Sequence, residues 1–597
     1  MITPMTKYSF VLLNGEQNGL LEKIQEVGLV DITRSSKPMD DNSHALAGEI
    51  DLLDGLIQGI RKAEVPEGTQ PVAFQGEGAD DIVRLAGGTL MLFAESQDKV
   101  KTLEKQVRDL KVWGSFDSAI VSKLAEAGVP LHFHIVSPKS FQETWAQEYA
   151  LSVISRNKDG VYFVVAGEDA LPGEVSVPKE DWRELEAGLR GETAALKNLE
   201  GEIVTLKERL PELEQMRAQA YAKLDLYLAG TAAVPAAEDT IVTLVGYSPA
   251  ENSEAVEAAL DATGSYYLKE AAVVEDNPPI KLKNNWFVRQ FEVLTDMYGR
   301  PGYDGFDPTP FISVFFLLFF AFCMGDCGYG LLLVIIGLLL KKVDSFKDMA
   351  PLVVILGIGT TVIGFLFHTF FSLDISTWSI FAPIKGIFLP AKIAGYDGPM
   401  VLSIVVGIIH LCLAMCVKTY EQTKNKGFVN SLGTWGWTLL IVGGVIVGSL
   451  ALVGVLDKEL TKWIVIVLGV LSALGIFVFN DMKRNKLANV GMGLWDTYNT
   501  ATGLLGDVLS YLRLYALGLA GSMLGMAFNN IGQMVLGDGS NAVLWIPFVL
   551  IVVIGHTLNI AMAALGAFVH PLRLNFLEFF KNSGYEATGR NFNPLSK

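Results

Sequence analysis

PFISVFFLLFFAFCMGDCGYGLLLVIIGLLLKK, residues 310–342, is a nearly unbroken apolar run with a polar interruption at its centre. About 20 apolar residues are enough to cross a bilayer, and further apolar runs of similar length follow as far as residue 575. Before residue 285 the chain is instead rich in Glu, Asp, Lys and Arg. The sequence therefore predicts a soluble domain over residues 1–300 and an all-α membrane domain over residues 301–597.

The composition limits the class of protein. Over 597 residues the mean hydropathy is +0.36, charged residues make up 19% and the formal net charge is -17. The charged fraction is low for a soluble protein, and the negative charge argues against a nucleic-acid partner. The N-terminal MITPMTKYSF has neither a basic start nor an apolar core. We therefore expect no signal peptide and a cytoplasmic soluble domain.

The sequence gives little support for catalysis, cofactors or metals. It contains no GxxxxGK[ST] phosphate loop, so we expect no nucleotide hydrolysis by this chain. All four cysteines lie in apolar segments, as the i, i+4 pairs Cys323 with Cys327 and Cys412 with Cys416. Four thiolates can hold zinc, but packing as small apolar side chains explains them more simply. We predict a non-catalytic chain without cofactor or metal.

The soluble domain combines α/β segments with long heptad patterns. KYSFVLL (7–13), SAIVSKLAEAGVPLHFHIVS (118–137) and TIVTLVGYSPAENSEAVEAALDATGSYYLKE (240–270) alternate strand-like and helix-like patterns. Between them, apolar residues recur at spacings of three and four: Leu46, Ile50, Leu53, Ile57, Ile60; Val100, Leu103, Val107, Leu110; and Leu189, Leu196, Leu199, Ile203, Leu206, Leu210, Leu213. Ala220 and Leu224 continue the last seam, Glu192 and Arg217 interrupt it, and Pro211 should kink it. These patterns predict α+β lobes joined by a long coiled-coil rod.

Charge placement decides the predicted number of spans. The apolar segments are 310–340, 350–372, 400–418, 434–456, 460–480, 490–536 and 541–575. If each crossed once from a cytoplasmic N-terminal half, most loop cations would face outward, contrary to the positive-inside bias. The outward group would be Lys341, Lys342, Lys347, Lys418, Lys424, Lys426, Lys483, Arg484 and Lys486, against Lys385, Lys392, Lys458 and Lys462 inside.

The MGDCGYG sequence, residues 324–330, offers a way to reverse this count. Gly325 and Gly328 permit a tight turn, and Asp326 can cap the helix that follows. We predict a helical hairpin over about 309–324 and 328–341, and hence eight transmembrane helices. Both termini are then cytoplasmic, in a multi-pass protein of the cell (inner) membrane.

Residues 490–536 and 541–575 are longer than a bilayer requires, so these two helices should be strongly tilted or broken. The first contains Arg513, in GDVLSYLRLYALGLAGSML (506–524). An arginine at bilayer depth costs at least about 2.5 kcal/mol, which makes a functional role the default hypothesis. The alternative is a structural ion pair with Asp507 or Asp326. Small residues near Arg513 on its helix face would let another helix pass close.

The last long segment carries a polar stripe. Its members are His556, Asn559, Ala563, Gly566, His570 and Arg573, spaced by threes and fours. They fall within about 100° on a helical wheel. Four of the six are polar on an otherwise apolar helix, which predicts a wet groove. For His570 and Arg573 the alternative is that they lie at the cytoplasmic interface and simply snorkel.

At these residues the sequence resembles the membrane stator subunit of V/A-type rotary ATPases, called subunit I in prokaryotes and subunit a in eukaryotes. The similar stretches are PPIKLKNNWFVRQFEVLTDMYGRPGYDGFDPTPF (278–311), FAFCMGDCGYGLLL (320–333), GLLGDVLSYLRLYALGLA (503–520) and LGAFVHPLRLNFLEFF (565–580), with GYSPAE (246–251) before the membrane part. The resemblance covers the layout of the whole chain and individual motifs from about residue 240. The chain length is typical of a prokaryotic member.

The resemblance implies roles for particular residues. Arg513 would be the stator arginine that faces the rotor ring, and Arg573 a second arginine near it. The remaining residues implied in ion translocation are Asp507, Ser510, His556, Asn559, His570 and Glu578. The implied partners are rotor-ring proteolipids, peripheral-stalk subunits, a central-stalk subunit and membrane lipid. The family number of eight spans agrees with the independent argument from loop charge.

Two positions depart from some relatives, which have carboxylates where Ala563 and Asn499 stand here. His556, Asn559 and bound water could replace them in the ion path.

A guanidinium stays protonated, so the implied role of Arg513 is to attract a rotor carboxylate that has lost its proton or sodium ion. The competing hypothesis is a secondary ion transporter with a soluble regulatory domain, although such transporters carry inverted repeats and none is apparent here.

Overall fold

The computed structural model describes residues 1–596 except 14, 35–39, 73–77, 115–117, 159, 168–170, 177–181, 237–239, 344–345, 381–382, 384–385, 387, 391, 394, 480–485 and 538–540. Three loop cations used to predict the orientation, Lys385, Lys483 and Arg484, lie outside the described residues.

The chain divides into two compact units. Unit 1 contains Met1–Val11, Leu29–Asp31 and Val245–Pro594, and unit 2 contains Leu12–Gly28, Ile32–Leu244 and Leu595–Lys597. These are units of packing. The division between a soluble and a membrane domain at residues 300 and 301 stays a prediction.

The first 300 residues are a mixture of helices and strands, as the sequence predicts for an α+β region. In chain order they are β1 (Met5–Leu13), α1 (Gln17–Val27), β2 (Asp31–Ile32), α2 (Asp41–Lys62), α3 (Ala79–Lys111), α4 (Ser118–Glu126), β3 (Leu131–Val136), α5 (Trp145–Glu148), β4 (Leu151–Arg156), β5 (Val161–Ala166), β6 (Glu174–Val175), α6 (Trp182–Glu208), α7 (Leu210–Thr231), β7 (Val234–Ala236), β8 (Ile241–Pro249), α8 (Ser253–Asp261), β9 (Tyr266–Ala271), α9 (Trp286–Arg289) and α10 (Glu292–Tyr298).

Two sheets organise the strands of this region. One sheet has the order β2-β8-β1-β9 with β7 beside β8, and β1 pairs with β9 from Thr6–Ala271 to Val11–Tyr266. The other has the order β4-β5-β3-β6 and lies in unit 2. Its buried face includes Phe163 and Val165, which alternate along β5 as expected for a strand with one covered face.

Helix pairing fills the core of unit 2. Helix α3 packs against α6, and α2 packs against α7. Apolar seam residues from α2, such as Ile57 and Ile60, join Ile203, Leu206 and Leu213 in one buried cluster. The helical run breaks between α6 and α7, where Pro211 lies in the first turn of α7. The heptad residues therefore do form a helix–helix core, while the extended coiled-coil rod stays a prediction.

The rest of unit 1 is mainly helical. In chain order it contains α11 (Thr309–Met324), α12 (Cys327–Leu340), α13 (Ala350–Leu366), β10 (Thr369–Phe370), β11 (Leu373–Asp374), β12 (Lys392–Ile393), β13 (Tyr396–Asp397), α14 (Gly398–Lys426), α15 (Leu432–Thr438), α16 (Gly444–Leu452), α17 (Lys458–Ala473), α18 (Lys486–Ser510), α19 (Leu512–Leu536), α20 (Trp545–Arg573) and α21 (Phe580–Ser583). Among the described residues, five helical segments are long and apolar enough to cross a membrane: Gly398–Lys426, Val429–Leu452, Lys458–Val478, Asn489–Leu536 and Ala542–Ser583. Helices α11, α12 and α13 are apolar but shorter. Eight crossings therefore stay a prediction.

Helices α11 and α12 run in opposite directions, and both pack against α13. Leu317 of α11 lies against Gly359 of α13, and Phe322, further along α11, stacks on Phe367 just after α13. Helix α11 is therefore parallel to α13. Glycines on α12 and α13 instead allow close antiparallel contact: a Cβ at Gly330 would lie 2.4 Å from the Thr361 nitrogen. The polar interruption in the first apolar run is thus a reversal of the chain.

In the part of the chain that the structure describes, π-helical turns occur at Leu439–Gly443, Leu474–Val478 and Leu574–Phe579. Such turns have i→i+5 hydrogen bonds and are frequent at functional sites. The predicted break in the segment 490–536 lies at Tyr511, between α18 and α19.

Candidate functional site

Arg513 lies on α19 one residue after its start, against α11 and α20. Its side chain is partly buried and lies within electrostatic range of Cys323 at the end of α11 and of His570 on α20. Its Nη1 atom is buried and has no hydrogen-bond partner within the described part of the chain. A buried donor without a partner is costly, so this guanidinium is in an environment that suits an acceptor from elsewhere.

Asp507 and Asp326 do not pair with Arg513 among the described residues. Asp507 lies 3.5 Å from the Lys581 ammonium and accepts a hydrogen bond of 2.8 Å from the Asn582 amide. Asp326 is occupied by backbone amides. The structural ion pair considered from the sequence is therefore not formed over the region described.

A second cation and a histidine lie beside Arg513. His570 is within electrostatic range of both Arg513 and Arg573, and its Nδ1 atom is buried without a partner among the described residues. Arg573 is exposed. Both arginines therefore interact electrostatically with the same imidazole, which concentrates positive charge where α19 and α20 pack together.

A buried carboxyl group lies after the C-terminal end of α20. Glu578 is 4% exposed, and its Oε2 atom has no hydrogen-bond partner in the described structure. It interacts with the Ser510 hydroxyl and lies near Asp507 and Arg573. Arg573 and Glu578 are five residues apart across the π turn Leu574–Phe579, and an i→i+5 turn places such a pair on one helix face. The structure therefore brings Asp507, Ser510, Arg573 and Glu578 together.

His556 and Asn559 belong to a closed hydrogen-bond network. His556 Nδ1 lies 2.6 Å from the Tyr329 hydroxyl, and its Nε2 lies 2.9 Å from Asn529 Oδ1. The Asn559 amide donates to the Tyr329 hydroxyl and to the Gly521 carbonyl, each at 2.8 Å. Both residues are buried, at 8% and 1% exposure. This end of the polar stripe joins α12, α19 and α20 within the protein, so it is not an open groove.

Asp326 anchors the turn after α11 and a distant loop at the same time. Gly325 has a φ of 55°, the left-handed conformation that ends α11. Asp326 Oδ1 accepts hydrogen bonds from the backbone nitrogens of Gly328 (2.8 Å), Tyr329 (3.1 Å) and Phe371 (2.9 Å), and Oδ2 accepts one from Ser372 at 2.6 Å. A Cβ at Gly328 would lie 2.6 Å from the Phe371 ring. Gly325, Asp326 and Gly328, the turn residues predicted from the sequence, thus position the loop 367–374.

Several participants could not be singled out from the sequence. Tyr329 and Asn529 complete the network around His556, and Tyr511 lies at the helix break beside Arg513. Each is a common residue type in an apolar helix, and only its tertiary contacts distinguish it. Over the described residues, no group of three or more His, Cys, Asp or Glu side chains is arranged to hold a metal ion.

Comparison with known proteins identifies the family. Residues 180–380 and 501–597 match the model of the V-type ATPase 116kDa subunit family. The A-type ATP synthase subunit I of Methanocaldococcus jannaschii is 29% identical over 66% of this chain and 59% of its own length. That of Pyrococcus horikoshii is 33% identical over 54% and 48%. The chain thus spans about half to three-fifths of these archaeal relatives.

The V-type ATP synthase subunit I of Borreliella burgdorferi matches over 100% of both chains at 24% identity. A crystal structure of the cytoplasmic N-terminal domain of subunit I of V-ATPase aligns with 45% of this chain at 14% identity, with a TM-score of 0.22 that is too low to support a fold assignment. The family match contains every residue of the arginine and carboxyl cluster and the Asp326 turn. The chain therefore belongs to the V-type ATPase 116kDa subunit family, among the prokaryotic subunit I proteins.

Proposed function

We propose that this chain is the non-catalytic membrane stator subunit of a V/A-type rotary ATPase or ATP synthase. In this role it forms the ion half-channels against a rotor ring of proteolipids and anchors the peripheral stalks. The soluble domain contacts the peripheral-stalk and central-stalk subunits, and eight helices cross the cell membrane with both termini in the cytoplasm. Family membership supports the proposal, and one feature of the site carries it.

That feature is the guanidinium of Arg513. It is permanently charged, its Nη1 atom is buried, and the described residues supply no acceptor for that atom. A deprotonated carboxylate on a moving rotor helix is the missing kind of partner, because opposite charges attract strongly where water is excluded. When the rotor carboxyl group binds its ion, it becomes neutral and can enter lipid. The same fixed charge repels cations and so opposes a direct leak between the half-channels.

The surrounding residues suit the exchange of ions with the cytoplasm. Ser510 and Asp507 lie one and two helical turns before Arg513, and Glu578 of the π turn after α20 lies beside them. Lys581 and Asn582 contact Asp507. Asn499 is exposed on α18, and Asp496 lies one turn earlier on the same helix. Asp496 is thus a carboxylate of this chain close to the position of Asn499, where some relatives carry one. His570 and Arg573 complete the path beside Arg513, and His556 and Asn559 support it from the other side.

The test compares variants in the complete complex reconstituted into vesicles. Arg513→Ala should abolish ATP-driven ion uptake while ATP hydrolysis by the assembled complex continues, since hydrolysis occurs on other subunits. Arg573→Ala should reduce uptake without abolishing it. Lys462→Ala removes an exposed cation from α17 and is the matched control, with uptake unchanged. Normal uptake in Arg513→Ala, or ion flux by the isolated chain alone, would contradict the proposal and favour a secondary transporter.

A further inference from the structure

The break between α18 and α19 is held by a socket on α14. Tyr511, the residue at the break, is 0% exposed, although Leu505, Leu509 and Leu519 on the same two helices are 68%, 55% and 38% exposed. The turn around it is tightened, because Tyr511 N bonds to the Val508 carbonyl and Leu514 N bonds to the Tyr511 carbonyl. These are i→i+3 bonds, which are typical of a helix whose regular ladder is interrupted.

Two residues one turn apart on α14 form the socket. Gly407 lies directly against the ring of Tyr511: a Cβ at this position would be 2.4 Å from Tyr511 Cγ. His410 is 0% exposed, and its Nδ1 atom lies 2.9 Å from the Tyr511 hydroxyl. The absence of a side chain at Gly407 gives the ring its space, and His410 contacts its far end.

His410 is itself fixed by aromatic rings. Its imidazole lies 4.2 Å from the Phe315 ring and 4.8 Å from the Phe579 ring, with an interplanar angle of 7° to Phe579. Phe319 contacts both His410 and Tyr511, at 5.1 and 5.7 Å between centroids. Since these rings come from α11 and from the π turn after α20, the socket has fixed walls on three sides.

The socket determines the direction in which Arg513 points. Residues two apart on a helix differ by about 200° around the axis, so Tyr511 and Arg513 project from nearly opposite sides of α19. Any rotation of the helix that moves the Tyr511 ring also moves the guanidinium by a similar angle on the other side. We infer that Gly407 and His410 are positioning residues for Arg513: by seating Tyr511 in α14, they fix the rotation of α19 that presents the arginine to its partner.

The contact distance indicates how sensitive this arrangement is. Ordinary contact requires at least 3.4 Å, so a methyl group at Gly407 must displace the ring, or α14 itself, by about 1 Å. Turning α19 enough to move the ring by about 1 Å moves a long side chain on the opposite face by a comparable or greater distance. Misplacement by 1 Å can cost on the order of 100-fold in rate at a site that depends on geometry.

The inference rests on the proposed function, and the test separates the two. Gly407→Ala is compared with Gly448→Ala, which adds the same methyl group to α16 where nothing lies within 4 Å. In the reconstituted complex, Gly407→Ala should lower the number of ions transported per ATP hydrolysed by about tenfold or more. ATP hydrolysis and assembly should stay unchanged, and Gly448→Ala should match the original chain.

Conservative variants distinguish positioning from mere stability. Tyr511→Phe keeps the ring in the socket, and His410→Phe keeps the aromatic stack, so both should retain most of the coupling. Tyr511→Leu empties part of the socket and should uncouple the assembled complex as Gly407→Ala does. It also tests the inference if Gly407→Ala fails to assemble.

Unchanged coupling in assembled Gly407→Ala or Tyr511→Leu would overturn the inference. Equal uncoupling in Tyr511→Phe would do the same, because the hydroxyl rather than the seated ring would then matter. Loss of assembly in both Gly407→Ala and Tyr511→Leu would show a structural role only. If Arg513→Ala also leaves coupling intact, the proposed function itself fails.

Discussion

Replacing Asp326 by Asn should release the loop 367–374 from α12. The carboxylate accepts four backbone hydrogen bonds, three on Oδ1 and one on Oδ2. An amide retains the acceptor oxygen but places an NH2 group 2.6 Å from the Ser372 nitrogen, where two donors face each other. Losing one hydrogen bond to a charged group costs about 1.5–3 kcal/mol. The remaining three bonds would weaken as the charge is removed.

The loop itself explains why this loss should be local. His368, Phe371 and Ser372 have φ values of 52°, 46° and 59°, a left-handed conformation that costs of the order of 1 kcal/mol or more for each residue other than glycine. The bonds from Phe371 and Ser372 to Asp326 offset part of this strain. When that binding weakens, the loop should open more often while the surrounding helices stay folded.

Amide hydrogen exchange measured by mass spectrometry on peptides that cover residues 367–374 tests this directly. A cost of 1.5–3 kcal/mol corresponds to exchange that is faster by about 10- to 150-fold, since each 1.4 kcal/mol is a factor of ten. Asp457→Asn is the control, because it makes the same chemical change outside the loop, at an exposed carboxylate whose side chain makes no cap hydrogen bond. If the Asp326→Asn loop kept its original protection, the backbone bonds would not be what holds it.

Three further outcomes are expected. Tyr329→Phe removes the hydroxyl shared by His556 and Asn559 and should lower the unfolding free energy by about 1–3 kcal/mol, measured as a lower Tm of the purified protein; an unchanged Tm would mean that water replaces the hydroxyl. Hydrogen bonds from Ser43 and Tyr227 lower the pKa of Asp40 from 3.8 to about 2. The stabilisation of α2 by this cap is therefore fully present above pH 3.8 and is lost as the pH falls through 2. The helical circular dichroism of Asp40→Asn and the original chain should converge over that range, and a constant difference down to pH 2 would contradict the assignment. Arg217 and Asp54, 2.8 Å apart and 37% and 33% exposed, should couple by only about 0.2–1 kcal/mol in a double-mutant cycle, and a coupling above 2 kcal/mol would show that the pair is buried.

Local chemistry explains the parts of the fold that the sequence predicts well. Gly325 and Asp326 divide the first apolar run within one residue of the predicted positions, since a left-handed glycine and an Asp cap are properties of single residues. The break before Pro211 follows from its missing amide and fixed φ. The apolar spacing of three and four along α2 and α6 likewise predicts which side chains are buried.

Tertiary contacts decide the features that the sequence does not reveal. No local sequence pattern predicts the hydrogen bonds from Phe371 and Ser372 to Asp326, because these residues are 45 and 46 positions away from Asp326 in the chain. The helical wheel that placed His556 and Arg573 on one stripe cannot show that Tyr329 and Asn529 close one end of that stripe. Tyr511 looks like any aromatic residue in an apolar helix until its seat against Gly407 is seen.

The π turn at Leu574–Phe579 changes the direction in which side chains project from the final helix. Residues before it follow one angular register and residues after it follow another, which is shifted by nearly one residue, or about 100°. Deleting a single residue here would let the backbone return to regular α-helical winding without breaking the helix. The C-terminal turn would keep its hydrogen bonds but swing Lys581 and Asn582 roughly a quarter turn away from Asp507. One extra residue in the winding thus sets the alignment of Lys581 and Asn582 with Asp507.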